Sequence, residues 1–397
     1  MREIKGKRIL KSSENPRPLN ILIIPDKFKG TLSSRAAAKA IAEGWRRARP
    51  HDRLTLLPMS DGGDDFGEVM SGFAGARAQK VKTVDAAHRP VVAAWWWQKE
   101  TRTAIVESAR VIGLAMLPGG KFHPFQLDSF GFGAIFSAAA RKGAKRFVVG
   151  IGGSATNDAG FGMARAMGWK FLDASGSFIE GWTQLDRLET IQPPEKDVVA
   201  FEEVLVAVDV KNPLNGPRGA TRVYGPQKGL VPADFKTAEN ALGRLAEVWK
   251  SQFRRNLSNI PGAGAAGGLG FGLLAFMGAK LTPGFELFAQ YAGLDRMIHS
   301  SDLVITGEGA IDESTLMGKG VGQLVGACVK RRVPCIALAG LLSRSPRVKR
   351  TFAQAYSLTD NASPEEAKKR AGPLLAHLSA RAARDWTGSL KKHRGSP

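Results

Sequence analysis

Short unbroken apolar runs alternate with helical stripes along most of the chain. Residues 20–25 (NILIIP) end at a polar turn, the pattern of a strand buried on both faces of a parallel sheet. Ser33 is placed to cap a helix, on which Ala37, Ala40, Ile41, Gly44, Trp45 and Ala48 share one face. A second apolar run at 54–58 completes a strand–helix–strand unit, the signature of an α/β fold. The same alternation predicts strands at 104–107, 146–151, 204–208, 302–306 and 334–339. It predicts helices at 134–140, stopped by Gly143, and at 233–253. Ser363, Pro364 and Glu366 have the spacing of a capped helix start, and Pro373 breaks the helix that follows. Trp95, Trp96 and Trp97 lie in a strand-like run and are expected to pack between a sheet and a helix. Predicted strands that end in glycine-rich or acidic loops place the chemistry at the carboxyl edge of a parallel sheet.

Composition narrows the class. With 397 residues the chain has room for two or three domains. Apolar residues are 43% and charged residues 23%, the balance of a globular protein rather than a disordered one. No uncharged apolar run approaches the ~18 residues of a membrane span, so no membrane partner is expected. The formal net charge is +21. Residues 1–20 hold six basic and two acidic residues, residues 341–397 twelve and four, and the remaining 320 residues 39 and 30. More than half of the excess thus belongs to basic ends, and without a nucleic-acid motif no nucleic-acid partner is expected. Two cysteines, Cys328 and Cys335, cannot build a disulfide framework, and the basic N-terminus lacks an apolar core for a secretion signal; the expected location is cytoplasmic.

Five loops carry the candidate chemistry. The first, 25–30 (PDKFKG), sets Lys27 and Lys29 where they could meet phosphate. The second, 60–65 (SDGGDD), crowds Asp61, Asp64 and Asp65, which repel unless a cation or donors sit among them. The third, 150–160 (GIGGSATNDAG), combines close backbone approach at Gly152 and Gly153 with Ser154, Thr156, Asn157 and Asp158. The fourth runs from Asp209 to Gly229 and supplies Arg218 and Lys228; so long a stretch without regular structure is more often functional than idle. The fifth, 306–312 (TGEGAID), offers Glu308 and Asp312 as magnesium ligands, with Lys319 nearby for phosphate. Other chemistries lack support. GAGAAG at 262–267 satisfies GxGxxG but has no strand before it, and Gly318-Lys319-Gly320 misses the hydroxyl of a Walker A loop. The six histidines show no zinc spacing, and no GxSxG elbow is present.

PDKFKG, GGSATNDAG, GPRGA…GPQKG, GAGAAGGLG and GEGAID, in this order over roughly 20–385, resemble the glycerate kinase family of the bacterial glycerate 2-kinase type. The resemblance implies two α/β domains with the active site in a cleft. One is Rossmann-like and formed by both chain ends, 20–85 and 265–385; the other, 86–264, is inserted, with basic segments at 1–19 and 386–397. It implies transfer of phosphate from ATP, with Mg²⁺, to D-glycerate, with 2-phosphoglycerate as the usual product. On this reading Asp158 accepts the substrate proton, with Asp61 and Asp209 as rivals. Ser154, Thr156, Asn157 and Arg218 bind substrate. Lys29, Gly152, Gly153, Lys228 and Lys319 bind nucleotide or phosphate. Glu308 and Asp312 hold the metal. The chain departs from the family pattern at DGGDDF, where DGGEGT is common, and at Ala310 and Ser314, where arginine and glutamine are common. A related small hydroxy acid as substrate, or a binding role in place of catalysis, is the alternative.

Overall fold

The structure is a computed structural model that describes residues 17–60, 62–63, 65–195, 201–316 and 320–387. Asp61, Asp64 and Lys319 lie outside the described residues, as do residues 1–16 and 388–397. The chain is α/β and divides into two compact units. One comprises the residues up to Leu57, Met297–Ile311 and those from Val325 onward; the other comprises Pro58–Arg296 and Asp312–Leu324. Among the described residues no helix is long and apolar enough to cross a membrane.

The first unit is built on a wholly parallel five-stranded sheet in the order Gln354–Ser357, Cys335–Leu342, Leu303–Ile311, Asn20–Ile23, Arg53–Leu56. Its apolar strands are buried, as sequences of the NILI and DLVIT kind require. Ser33 caps the helix Ser34–Ala48 by accepting from Ala36 N at 3.2 Å. That helix packs tightly on Ala371–Asp385: a Cβ on Gly44 would lie 1.9 Å from Ala376 O, so only glycine permits the approach. Ser379 Oγ donates to Ile41 O across the same contact at 2.7 Å. The break before Ala371–Asp385 falls at Arg370, three residues ahead of Pro373, because proline tolerates only the first turn of a helix. One expectation shifts here. The strand Leu303–Ile311 continues through GEG instead of stopping at Thr306, because Gly307, Glu308 and Ala310 stay in register with Leu338, Ala339 and Leu341.

The second unit contains a mixed six-stranded sheet in the order Lys280–Thr282, Glu203–Ala207, Arg146–Gly150, Thr103–Glu107, Pro90–Gln98, Arg77–Val84. The first four strands run parallel and the last two pairings are antiparallel. A separate hairpin-like pair, Lys170–Asp173 with Leu188–Gln192, stands beside it. Trp95 and Trp96 are both buried although they point to opposite faces of their strand, so both faces of the sheet are covered. Trp96 fills the space against Gly67, where a Cβ would approach it to 1.9 Å.

Candidate functional site

In the second unit, three of the predicted loops meet at the carboxyl edge of the parallel strands. Glycines set how closely they meet. Gly152 N donates to Gly62 O at 3.1 Å, and a Cβ on Gly62 would lie 2.7 Å from Ala207 Cβ, at the end of the strand that leads to Asp209. Gly150 lies under the ring of Phe66, which is wholly buried, so the Phe66 departure is absorbed into the core. Asp65 has φ 67°, a left-handed conformation that explains why a glycine is common at that position.

The loop carrying Gly152–Gly160 splits into two parts with different roles. Gly153 is exposed, with φ 72°, whereas Gly152 is half-buried, its N–H held by Gly62 O and its carbonyl accepting from Ser108 Oγ at 3.2 Å. Ser154, Thr156, Asn157 and Asp158 are buried. Ser154 Oγ and Thr156 Oγ1 are 3.1 Å apart, and Asn157 Nδ2 donates to Thr221 Oγ1 at 3.1 Å. Asp158 Oδ2 accepts from Ser129 N at 2.8 Å, Ser129 Oγ at 2.7 Å and Gly162 N at 3.0 Å, and its Oδ1 accepts from Gly160 N at 3.3 Å. Burial, and then the nearby Asp128 carboxylate, push the Asp158 carboxyl up, while these donors pull the other way. With no exposed surface, Asp158 ties the start of the helix Phe161–Ala166 to Ser129.

Lys228 is equally enclosed. Its ammonium donates to Thr156 O at 2.6 Å, and burial lowers its pKa to about 7 against the opposing pull of Asp158. The stretch that contains Lys228 is also more regular than expected, with a helix at Ala220–Tyr224 and a 3-10 turn at Pro226–Lys228. Two expected residues remain on the surface at this edge. Asp209 is exposed, with Oδ1 accepting from Gly284 N at 2.8 Å. Arg218 is exposed on its loop, where its carbonyl accepts from Asn212 Nδ2 at 2.8 Å.

One residue of this edge is absent from the candidates that the sequence offers. Glu107, 2% exposed at the end of its strand, accepts from Asp65 N at 3.1 Å and Gly67 N at 3.0 Å, and Arg110 Nε lies 3.3 Å from it. Burial pushes the Glu107 carboxyl up. Its signal was present as an acid ending an apolar strand. Arg110 also sits 3.2 Å from Glu68 and over the ring of Trp96. The GAGAAGG stretch, a motif of the resemblance, packs against the same loop. It opens the helix Ala265–Met277 with Ala266, Gly267 and Gly268 all at positive φ, and Gly267 O accepts from Ala159 N at 3.1 Å.

In the first unit, Lys29 is exposed on a turn closed by Thr31 N to Phe28 O at 2.8 Å, so it precedes the first helix rather than opening it. Gly309 packs against this turn, where a Cβ would lie 3.3 Å from Lys29 N, next to Glu308 on the same strand. Asp312, in the second unit, has Oδ1 occupied by Ser314 Oγ at 2.6 Å and Thr315 N at 3.1 Å.

A family model for the glycerate kinase family matches residues 21–387. The chain belongs to the glycerate kinase family. It is 38% identical over 331 residues to glycerate 2-kinase of Escherichia coli K12, covering 82% of this chain and 86% of that protein. It is 37% identical over 326 residues to a glycerate kinase of Halalkalibacterium halodurans, with the same coverages. Among solved structures it matches one described as glycerate kinase 2 of Salmonella typhimurium LT2, with TM-score 0.80 and 33% identity, covering 92% of this chain and 98% of that one. Of the residues that the glycerate kinase resemblance nominates, Gly152, Gly153, Ser154, Thr156, Asn157, Asp158, Lys228, Asp209 and Arg218 belong to one unit. Lys29 and Glu308 belong to the other.

Proposed function

We propose that this chain is an ATP-dependent kinase that phosphorylates D-glycerate at C2, giving 2-phosphoglycerate. The observation that carries this reading is the placing of an exposed glycine, Gly153, an exposed carboxylate, Asp209, and an exposed arginine, Arg218, on loops of one sheet edge, in a member of the glycerate kinase family. Phosphoryl transfer asks mainly for positioning and charge neutralisation, which such a set can supply.

The burial pattern supports the following roles. Asp209 orients the C2 hydroxyl and accepts its proton, because it is open to substrate while Asp158 is not. The exposed turn at Gly153 receives phosphate oxygens. Arg218 grips the glycerate carboxylate through both oxygens. Ser154, Thr156, Asn157, Asp158 and Lys228 keep the glycine pair in place from beneath. Lys29 and Lys319 neutralise phosphate charge. Magnesium suits a hard carboxylate oxygen such as that of Glu308 or Asp312. Since Asp312 Oδ1 already caps the following helix, Glu308 is the stronger of the two donors. When bound, the ion neutralises charge on the phosphate oxygens.

The test is a coupled ADP-release assay with D-glycerate, L-glycerate and a panel of small hydroxy acids, followed by phosphorus NMR of the product. A C2 ester couples to one proton and a C3 ester to two. Activity with D-glycerate and a doublet are expected; a triplet, or faster turnover with another acid, overturns the assignment. Asp209→Asn should lower kcat by about 100-fold or more without unfolding the protein. If Asp209→Asn is nearly as active as the parent, Asp209 is not the base.

A further inference from the structure

The opposite edge of the six-stranded sheet carries chemistry that the catalytic reading does not use. The chain enters its parallel strands there, through the turns at 99–102 and 142–146. Lys145 N and Arg146 N both donate to Arg102 O, at 2.9 and 3.2 Å, and Arg102 Nε donates to Gly143 O at 3.0 Å. Arg102 and Gly143 adopt positive φ, 52° and 99°, which bends each turn toward the other. The two turns are therefore fastened together before any ligand arrives.

Beside them opens a cavity of about 570 Å³, lined by Arg77, Trp97, Lys99, Glu100 and Lys142 among others. That is within the roughly 300–1,000 Å³ of small-molecule sites. Arg77, Lys99 and Lys142 come from three separate segments, and Arg77 sits opposite Trp97 in the antiparallel pair. Among the described residues none of the three is in an ion pair. With Glu100 as the one acid of the lining, the cavity keeps a positive excess. Trp97 packs edge-on against Trp95, with centroids 6.4 Å apart, and stays half-buried beside the cavity.

We propose that this cavity is a second ligand site, for a nucleoside polyphosphate, with the phosphates on Arg77, Lys99 and Lys142 and the base on Trp97. Three cations held by separate segments match a chain of phosphates, and an aromatic ring matches a base. The site stands at the amino edge, whereas the loops assigned to catalysis stand at the carboxyl edge. A nucleotide held here is not a phosphoryl donor; its role is regulatory.

Isothermal titration of the full chain with β,γ-imido-ATP tests this. Two binding events per chain are expected. The weaker should lose about tenfold or more in affinity between about 50 and about 300 mM salt, as exposed charges are screened. Lys99→Ala/Lys142→Ala should abolish that event and leave kcat and both KM values within about twofold, since neither lysine touches the loops assigned to catalysis. Trp97→Leu should remove the preference for ATP over inorganic triphosphate. A single event in both proteins, or a second event unchanged in the double variant, overturns the proposal. So does tighter binding of a short RNA than of ATP at equal salt, which would make this edge a nucleic-acid surface. The weaker event is read independently of glycerate turnover, so a failure here and a failure of the kinase assignment are distinguishable.

Discussion

Lys228 is a cation with almost no water around it. Its ammonium is 7% exposed as a residue, donates to one main-chain carbonyl, and has Asp158 as its nearby counter-charge. Burial lowers its pKa from 10.5 to about 7. Below about pH 7 the lysine is charged in both folded and unfolded chains, and the cost of burying the charge is fully present. Between about 7 and 10.5 the unfolded chain keeps the proton that the folded chain has released, so stability rises with pH across that window. Asp158, whose carboxyl is pushed up, contributes the opposite slope from its ordinary value of 3.8 upward. Lys228→Met removes the ionisable group with similar bulk. Its denaturation midpoint should therefore gain less than that of the parent between pH 7 and pH 9. Tryptophan fluorescence reads this out, because Trp95, Trp96, Trp97, Trp169, Trp182 and Trp249 all belong to the unit that contains Lys228. Parallel pH dependences in the two proteins would show that Lys228 does not titrate in this range.

At the scale of elements, the glycine-rich stretch at 262–268 sets the position of its neighbour. A Cβ on Gly267 would lie 1.9 Å from Thr156 O and 2.8 Å from Lys228 Nζ, at φ 72°. Gly267→Ala therefore combines a backbone clash with a left-handed alanine. It should cost about 2 kcal/mol or more and lower kcat by displacing Gly152–Gly153. Gly30→Ala is the control: φ is 78° but nothing lies within 4 Å, so only the conformational cost of about 1 kcal/mol should appear. Equal melting temperatures for the two variants would refute the clash. This contact also marks where sequence reading stops. The strands and the caps at Ser33 and Ser363 follow from local patterns, and the structure has them. The glycine loop is recognisable in the sequence as chemistry, but the burial of Ser154, Thr156, Asn157 and Asp158, and their bonds within the loop and to Ser129 and Thr221, are not. Those partners lie 29 and 64 residues away from Asp158 and Asn157, beyond any periodicity. The GEG segment was read as a loop because glycine punctuates strands, yet its register with Leu338–Leu341 keeps it extended.

For the whole molecule the deciding quantity is charge. The chain carries +21 in total, and although the two ends hold most of it, 39 basic against 30 acidic residues remain between them. Under the proposed reaction both substrates are anions, so this excess raises their local concentration and their rate of encounter, an effect that acts at long range and is screened by salt. It does not act on the transfer step itself, where the groups are already in contact. Raising ionic strength from about 50 to about 300 mM shortens the Debye length from roughly 14 to roughly 6 Å. kcat/KM for ATP and for D-glycerate should fall several-fold over that range, with kcat unchanged and the fall steeper for the more highly charged ATP. The measurement is a salt series in chloride and again in acetate, so that a specific anion competing at the Gly152–Gly153 loop is told apart from screening. A fall in kcat alone, or a fall in one salt only, would mean that the net charge of this chain has no part in drawing its substrates in.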